Sequence, residues 1–109
     1  MSRRARVATV AEIPDGEALK VEAFGIAIAL VNIKGNFYAI GDTCSHANYS
    51  LSEGDVWPDE CEIECPQHGA MFSLQSGEPL TLPATQSVPV FSVERDGDDL
   101  YVVAQDGAT

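Results

Sequence analysis

Residues 44–68 read CSHANYSLSEGDVWPDECEIECPQH. This stretch begins with the pair Cys44 and His46 and ends with the pair Cys65 and His68, and eighteen residues separate His46 from Cys65. The two pairs contain both histidines of the chain and two of its three cysteines. Cysteine thiolate and neutral imidazole are common metal ligands in proteins. We therefore predict that these four residues form one metal site.

The spacing of the ligands indicates the kind of metal. Structural zinc sites usually place paired ligands two or more residues apart. In an extended segment, Cys44 and His46 would point the same way from positions about 6–7 Å apart, which suits two metal atoms better than one. A two-iron cluster with both cysteines on one iron and both histidines on the other meets this condition. A structural zinc module that serves as an interaction domain is the alternative.

Cys-x-His followed by Cys-x-x-His resembles the motif of the Rieske [2Fe–2S] proteins. The short chain is similar to the Rieske-type ferredoxins of multicomponent non-haem iron oxygenases, and the resemblance covers most of its length. Pro83 falls where that family has a proline-containing loop that shields the cluster. The resemblance implies one [2Fe–2S] cluster per chain, with these cofactor-binding and metal-binding residues: Cys44, His46, Cys65 and His68.

The remaining sequence predicts an all-β fold. Short β-rich runs alternate with turn signals, of which the clearest are Lys34–Gly35–Asn36 and residues 96–99. Residues 1–4 are expected to fray. The resemblance implies a Rieske fold of three antiparallel sheets within one domain, residues 1–109. A basal antiparallel β-sandwich (about residues 1–40 and 84–109) would carry a small cluster-binding subdomain, inserted at about residues 41–83.

Composition excludes several classes of function. Seventeen Asp and Glu stand against six Lys and Arg, a formal net charge of −11, which opposes binding to nucleic acid and to an anionic membrane surface. No apolar run approaches the roughly 20 residues of a membrane helix, and no hydrophobic signal segment follows the basic start. We therefore expect a cytoplasmic protein without a disulfide framework. The high charge also favours a monomer.

The resemblance implies an electron carrier. It would pass one electron at a time from an NAD(P)H-dependent ferredoxin reductase to a terminal oxygenase. A Rieske oxygenase also needs a mononuclear iron held by two histidines and a carboxylate, and both histidines here already belong to the cluster motif. We therefore predict no catalytic residue and no enzyme activity of the chain itself. Two alternatives stay open: a small Rieske-like subunit of a larger reductase such as nitrite reductase, and a stand-alone Rieske ferredoxin linked to iron–sulfur cluster assembly.

Departures from the family pattern concern the reduction potential. Tyr49 and Gln67 occupy the positions at which respiratory Rieske proteins carry two bridging cysteines, so that disulfide cannot form. High-potential members also place a serine and a tyrosine where this chain has Ala70 and Phe72. Fewer hydrogen-bond donors to the cluster stabilise its reduced form less. We predict a potential near the low end of the Rieske range, which extends from about −150 to +300 mV.

Four further features have both a structural and a functional interpretation. Period-2 alternation over residues 60–65 predicts that Cys61 points inward as a core thiol rather than serving as a spare ligand. Trp57 is predicted to cap the local core rather than to anchor a partner. The acidic run over residues 55–64 fits either a basic partner or a solvated face. Asp42 could form a hydrogen bond within the first ligand loop.

Overall fold

The computed structural model describes residues 2–43, 50–66, 69–80 and 88–105. Two 3-10 helices, Val10–Glu12 and Leu51–Glu53, accompany the strands. Among the described residues the strands are β1 (Ser2–Thr9), β2 (Ala18–Ala23), β3 (Ile26–Ile33), β4 (Asn36–Gly41), β5 (Val56–Trp57), β6 (Glu62–Glu64), β7 (Met71–Ser73), β8 (Val90–Asp96) and β9 (Asp99–Gln105). Every strand pair is antiparallel, so the all-β prediction is confirmed.

Two-residue turns connect β2 to β3 and β3 to β4. In each turn both central residues have positive φ: 57° and 79° at Phe24 and Gly25, and 53° and 86° at Lys34 and Gly35. This is the geometry of hairpin turns whose twist matches the strands. The sequence predicted the second turn but not the left-handed conformation of Phe24. The ring of Phe24 lies 6.2 Å from that of Phe91, and this contact helps to hold the turn.

The prediction that residues 1–4 fray is wrong for residues 2–4. These residues belong to β1, which pairs with β9 from Ser2 opposite Gln105 to Thr9 opposite Asp99. The Arg4 guanidinium lies 3.9 Å from the centre of the Tyr101 ring. The Nε–H of Arg6 donates to Asp99 at 3.0 Å. Because these partners lie on a distant strand, the local sequence contains no sign of them.

The strands form two sheets in the described part of the chain. One has six strands in the order β1-β9-β8-β4-β3-β2, and the other has three in the order β5-β6-β7. Strand β8 pairs with β4 through Val90 and Phe91 and with β9 from Ser92 onward. It thereby joins two of the three expected sheets into one. No helix in the described residues is long and apolar enough to span a bilayer.

Strand β3 is buried on both faces. Ile28 and Leu30 contribute to a core enclosed by the six-stranded sheet. Ala29, Val31 and Ile33 point the other way, because side chains alternate along a strand, and they share a buried cluster with residues of the three-stranded sheet. The second core therefore attaches the segment between β4 and β8 to the back of β3.

Candidate metal centre

Cys65 directly follows β6 and is buried, with 1% of its surface exposed. Its backbone N–H donates to the carbonyl oxygen of Ala70 at 2.7 Å, which joins the chain on the two sides of residues 66–69. Pro66 cannot donate to a sheet ladder, so the strand ends there. Gly69 returns the chain with a φ of +70°, a conformation that favours glycine. Cys65 and Ala70 are therefore held next to each other on either side of the segment that contains the predicted ligand His68.

The first ligand segment is also closed at its base. Thr43 and Ser50, which flank residues 44–49, form an antiparallel bridge. The N–H of Leu51 donates to the carbonyl oxygen of Asp42 at 2.6 Å. Leu51 is fully buried and belongs to the same hydrophobic cluster as Cys65. The core therefore brings the described residues that adjoin the two predicted ligand pairs together.

Of the four predicted ligands, the structure places Cys65 alone. Cys44, His46 and His68 lie outside the described residues. The same holds for Tyr49, Gln67 and Pro83, on which the interpretation of the bridging cysteines and the proline loop depends.

Gly54 makes a close contact that sequence reasoning missed. It lies against the backbone of Glu64, so a Cβ at position 54 would overlap the carbonyl oxygen of Glu64. The N–H of Glu64 donates to the carbonyl oxygen of Asp55 at 2.8 Å in the same region. This contact ties the chain that follows the first predicted ligand pair to β6, which ends just before Cys65.

Ala70 and Phe72 are both fully buried in the cluster that contains Cys65. Neither side chain carries a hydrogen-bond donor. The cluster that contains Cys65 is therefore apolar at these two positions.

Cys61 packs partly against the same cluster as Ile63 and Cys65. The inward direction predicted for these three residues is correct, although Cys61 is only half-buried and precedes β6 in a turn with φ of +57°. Its carbonyl oxygen accepts the N–H of Leu74 at 3.0 Å. A hydrogen bond with the Cys61 side chain raises the pKa of the Tyr38 hydroxyl, and burial raises it further. These contacts assign Cys61 a structural role.

Trp57 is 45% exposed, so the prediction that it caps the local core is wrong. Strand β5 has two residues, and Val56 faces the core. Alternation then turns Trp57 toward solvent. The indole N–H donates to the Glu64 carboxylate at 3.0 Å, which fixes the orientation of the ring.

Charge is distributed unevenly along the chain. Residues 41–83 contain eight Asp and Glu and no Lys or Arg, because all six cations lie outside this segment. Ion pairs in the described part of the chain join strands or turns of the six-stranded sheet, as between Arg4 and Glu94 at 3.6 Å. Asp59 and Glu60 are exposed. The end of the molecule that carries the ligand segments is therefore strongly negative.

The sequence profile of the Rieske [2Fe–2S] domain matches residues 3–92. The chain belongs to this family. It is 45% identical over 93 residues to the 3-phenylpropionate/cinnamic acid dioxygenase ferredoxin subunit of Escherichia coli (strain K12), an alignment that covers 85% of this chain and 86% of that protein.

Solved structures show the same fold. The ferredoxin of carbazole 1,9a-dioxygenase from Nocardioides aromaticivorans IC177 is 32% identical with a TM-score of 0.87, over 91% of this chain and 95% of that one. A chain from the complex of reduced oxygenase and oxidized ferredoxin in carbazole 1,9a-dioxygenase is 35% identical with a TM-score of 0.82, over 91% of both chains. The predicted Rieske family and fold are thereby confirmed.

The cofactor of this family is a [2Fe–2S] cluster, and the residues present fit it. The buried Cys65 supplies a thiol inside an apolar cluster that restricts water. The sequence provides the other predicted ligands, Cys44, His46 and His68, outside the described residues. Two thiolates and two imidazoles are the donor set of a Rieske centre.

Proposed function

We propose that this protein is the ferredoxin component of a multicomponent oxygenase, which carries single electrons from a reductase to a terminal oxygenase. The observation that carries the proposal is the similarity, over nearly the whole chain, to dioxygenase ferredoxin subunits. The protein would act as a carrier and not as an enzyme, with no catalytic residue of its own.

In this proposal Cys44 and Cys65 hold one iron, and His46 and His68 hold the other. The cluster, when bound, accepts and releases one electron. The chain's own residues join the two sides of each predicted ligand segment and surround Cys65 with apolar side chains. The arrangement of the strands supports the division into a basal part, about residues 1–40 and 84–109, and an insert at about residues 41–83.

The partners would be an NAD(P)H-dependent ferredoxin reductase and the oxygenase, both in the cytoplasm. The net charge of −11 supports a monomer that binds neither nucleic acid nor an anionic membrane surface. The negative, cation-free segment that bears the ligand loops favours positively charged partner surfaces.

An EPR spectrum of the dithionite-reduced protein tests the proposed centre. We expect a red-brown protein with equal amounts of iron and sulfide and a spectrum of low average g, which mixed Cys and His ligation produces. A colourless zinc protein without sulfide would refute the assignment. Co-purification with a large catalytic chain would instead favour the reductase-subunit alternative.

Replacing Phe72 with tyrosine is expected to raise the reduction potential. A hydroxyl at this buried position supplies a donor near the cluster sulfurs, and such bonds stabilise the more negative, reduced state. Potentiometric titration measures the effect. Phe72→Leu is the control, because it changes the packing without adding a donor. An unchanged or lower potential in Phe72→Tyr would contradict the prediction.

Electron transfer to a positively charged acceptor is expected to slow as salt is added. Steering by opposite charge raises encounter rates about tenfold or more at low ionic strength, and about 0.1 M salt reduces its range to about 10 Å. Stopped-flow oxidation of the reduced protein by cytochrome c measures the rate. Neutralising Asp59 and Glu60 together should slow the reaction at low salt. Neutralising the exposed Glu17 and Glu22, which lie outside the insert, should leave the rate unchanged. If both double variants slow the reaction equally, the acceptor does not dock at the insert.

A further inference from the structure

Asp42 is a buried side chain immediately before the first ligand segment, and only 1% of its surface is exposed. Its backbone N–H donates to the carbonyl oxygen of Ala27 at 3.0 Å. Its carbonyl oxygen accepts from Leu51, and its Oδ1 accepts the backbone N–H of Ser52 at 2.9 Å. Asp42, which directly follows β4, is therefore bonded both to β3 and to Leu51 and Ser52, which come after residues 44–49.

The bond to Ser52 has a local reason. Ser52 belongs to the 3-10 helix Leu51–Glu53, and the first N–H groups of a helix lack partners within it. Ser50, at the N-cap of this helix, makes no side-chain capping bond. The Asp42 carboxylate supplies the missing acceptor from ten residues earlier in the chain. This contact joins the residues on the two sides of positions 44–49, in addition to the bridge between Thr43 and Ser50.

We propose that Asp42 is a positioning residue of the metal centre. The Asp42 backbone is bonded to Ala27 of β3, and the Asp42 carboxylate holds Ser52 on the far side of residues 44–49, which sets where Cys44 and His46 can meet the second pair. The proposal rests on the proposed function, because it requires positions 44 and 46 to bind the cluster. Asp42 itself touches neither iron nor sulfide in this role.

The rate of cluster release tests the proposal. An excess of iron chelator is added to the holoprotein, and the loss of visible absorption measures the release. Asp42→Ala removes the acceptor and should accelerate release about tenfold, equivalent to about 1.4 kcal/mol. It should also shift or broaden the EPR signal. Asp42→Asn retains an oxygen that can accept from Ser52, and it should release the cluster within about twofold of the wild-type rate.

Asn32→Ala is the matched control. Asn32 is also buried, and its side chain donates to the carbonyl oxygen of Ile13 at 2.7 Å and accepts from Gly35 at 2.9 Å, away from the ligand segments. Its removal should lower the free energy of unfolding but leave the release rate and the EPR signal unchanged. Equal acceleration in Asn32→Ala and Asp42→Ala would overturn the positioning role, since general destabilisation would then suffice.

Wild-type release from Asp42→Ala would also overturn the proposal. If Asp42→Ala does not fold, Asp42→Asn is the deciding variant. Tenfold faster cluster release from Asp42→Asn would exclude the hydrogen bond to Ser52 as the cause. Release at the wild-type rate with an unchanged EPR signal would support the proposal. A wild-type protein without the mixed-ligand EPR signal would remove the proposed function itself. If the wild-type protein gives the normal EPR signal and Asp42→Ala and Asn32→Ala release the cluster at the same rate, only the role of Asp42 is refuted.

Discussion

Replacing Gly54 with alanine is expected to prevent formation of a stable holoprotein. The backbone of Gly54 has φ of −86° and ψ of −177°, a conformation that alanine adopts without strain. The loss therefore comes from the added Cβ alone, which would overlap the backbone carbonyl oxygen of Glu64. To avoid this overlap, β6, which ends just before Cys65, would have to move. Overpacking of a core typically lowers the free energy of unfolding by about 1–3 kcal/mol. Because a backbone group must move here, we expect a loss at the upper end of that range or more.

Iron content and thermal unfolding of the purified protein measure this effect. Gly16→Ala is the matched control, since Gly16 has φ of +83° and open space around its Cα. Alanine at position 16 should lower the free energy of unfolding by about 1–2 kcal/mol, because a residue with a Cβ disfavours the left-handed backbone conformation. It should leave the iron content unchanged. A Gly54→Ala protein with wild-type iron and melting temperature would show that the two segments are not in contact as described.

Replacing Cys65 with serine is expected to abolish the cluster. Thiolate is the iron ligand in these centres, and a serine hydroxyl in a buried apolar site is a poor substitute. Since metal binding contributes to folding free energy, the segment between β4 and β8 should also lose stability more than the six-stranded sheet. Iron and sulfide analysis, visible absorption and amide hydrogen exchange measure the three effects.

Cys61→Ser provides the control within the same protein. Cys61 is four residues away, half-buried and occupied by contacts with the core. Its serine variant should retain iron, sulfide and the EPR signal, with a modest loss of stability from the smaller apolar contact. Loss of the cluster from Cys61→Ser, or its retention in Cys65→Ser, would contradict the assignment of these two thiols.

The pair spacing and the turns were predictable because both are local. Paired ligands of a metal site commonly occur at short, characteristic spacings, so Cys-x-His and Cys-x-x-His indicated the family before any coordinates. The hairpin at Lys34 and Gly35 follows from residues that tolerate positive φ. The inward direction of Ile63 and Cys65 follows from the period of a strand.

Contacts between distant segments were decided by the tertiary structure alone. Strand β1 exists because β9 lies beside it, and Trp57 is exposed because its strand is two residues long and Val56 takes the core position. The close approach of Gly54 to Glu64 and the three bonds of Asp42 join residues that are separated in sequence. The sequence by itself determined the all-β class and the family, since these depend on residue type and short spacing, and it predicts which residues bind the cluster. Which side chains support the ligand loops depends on how the sheets pack, and no local pattern encodes that packing.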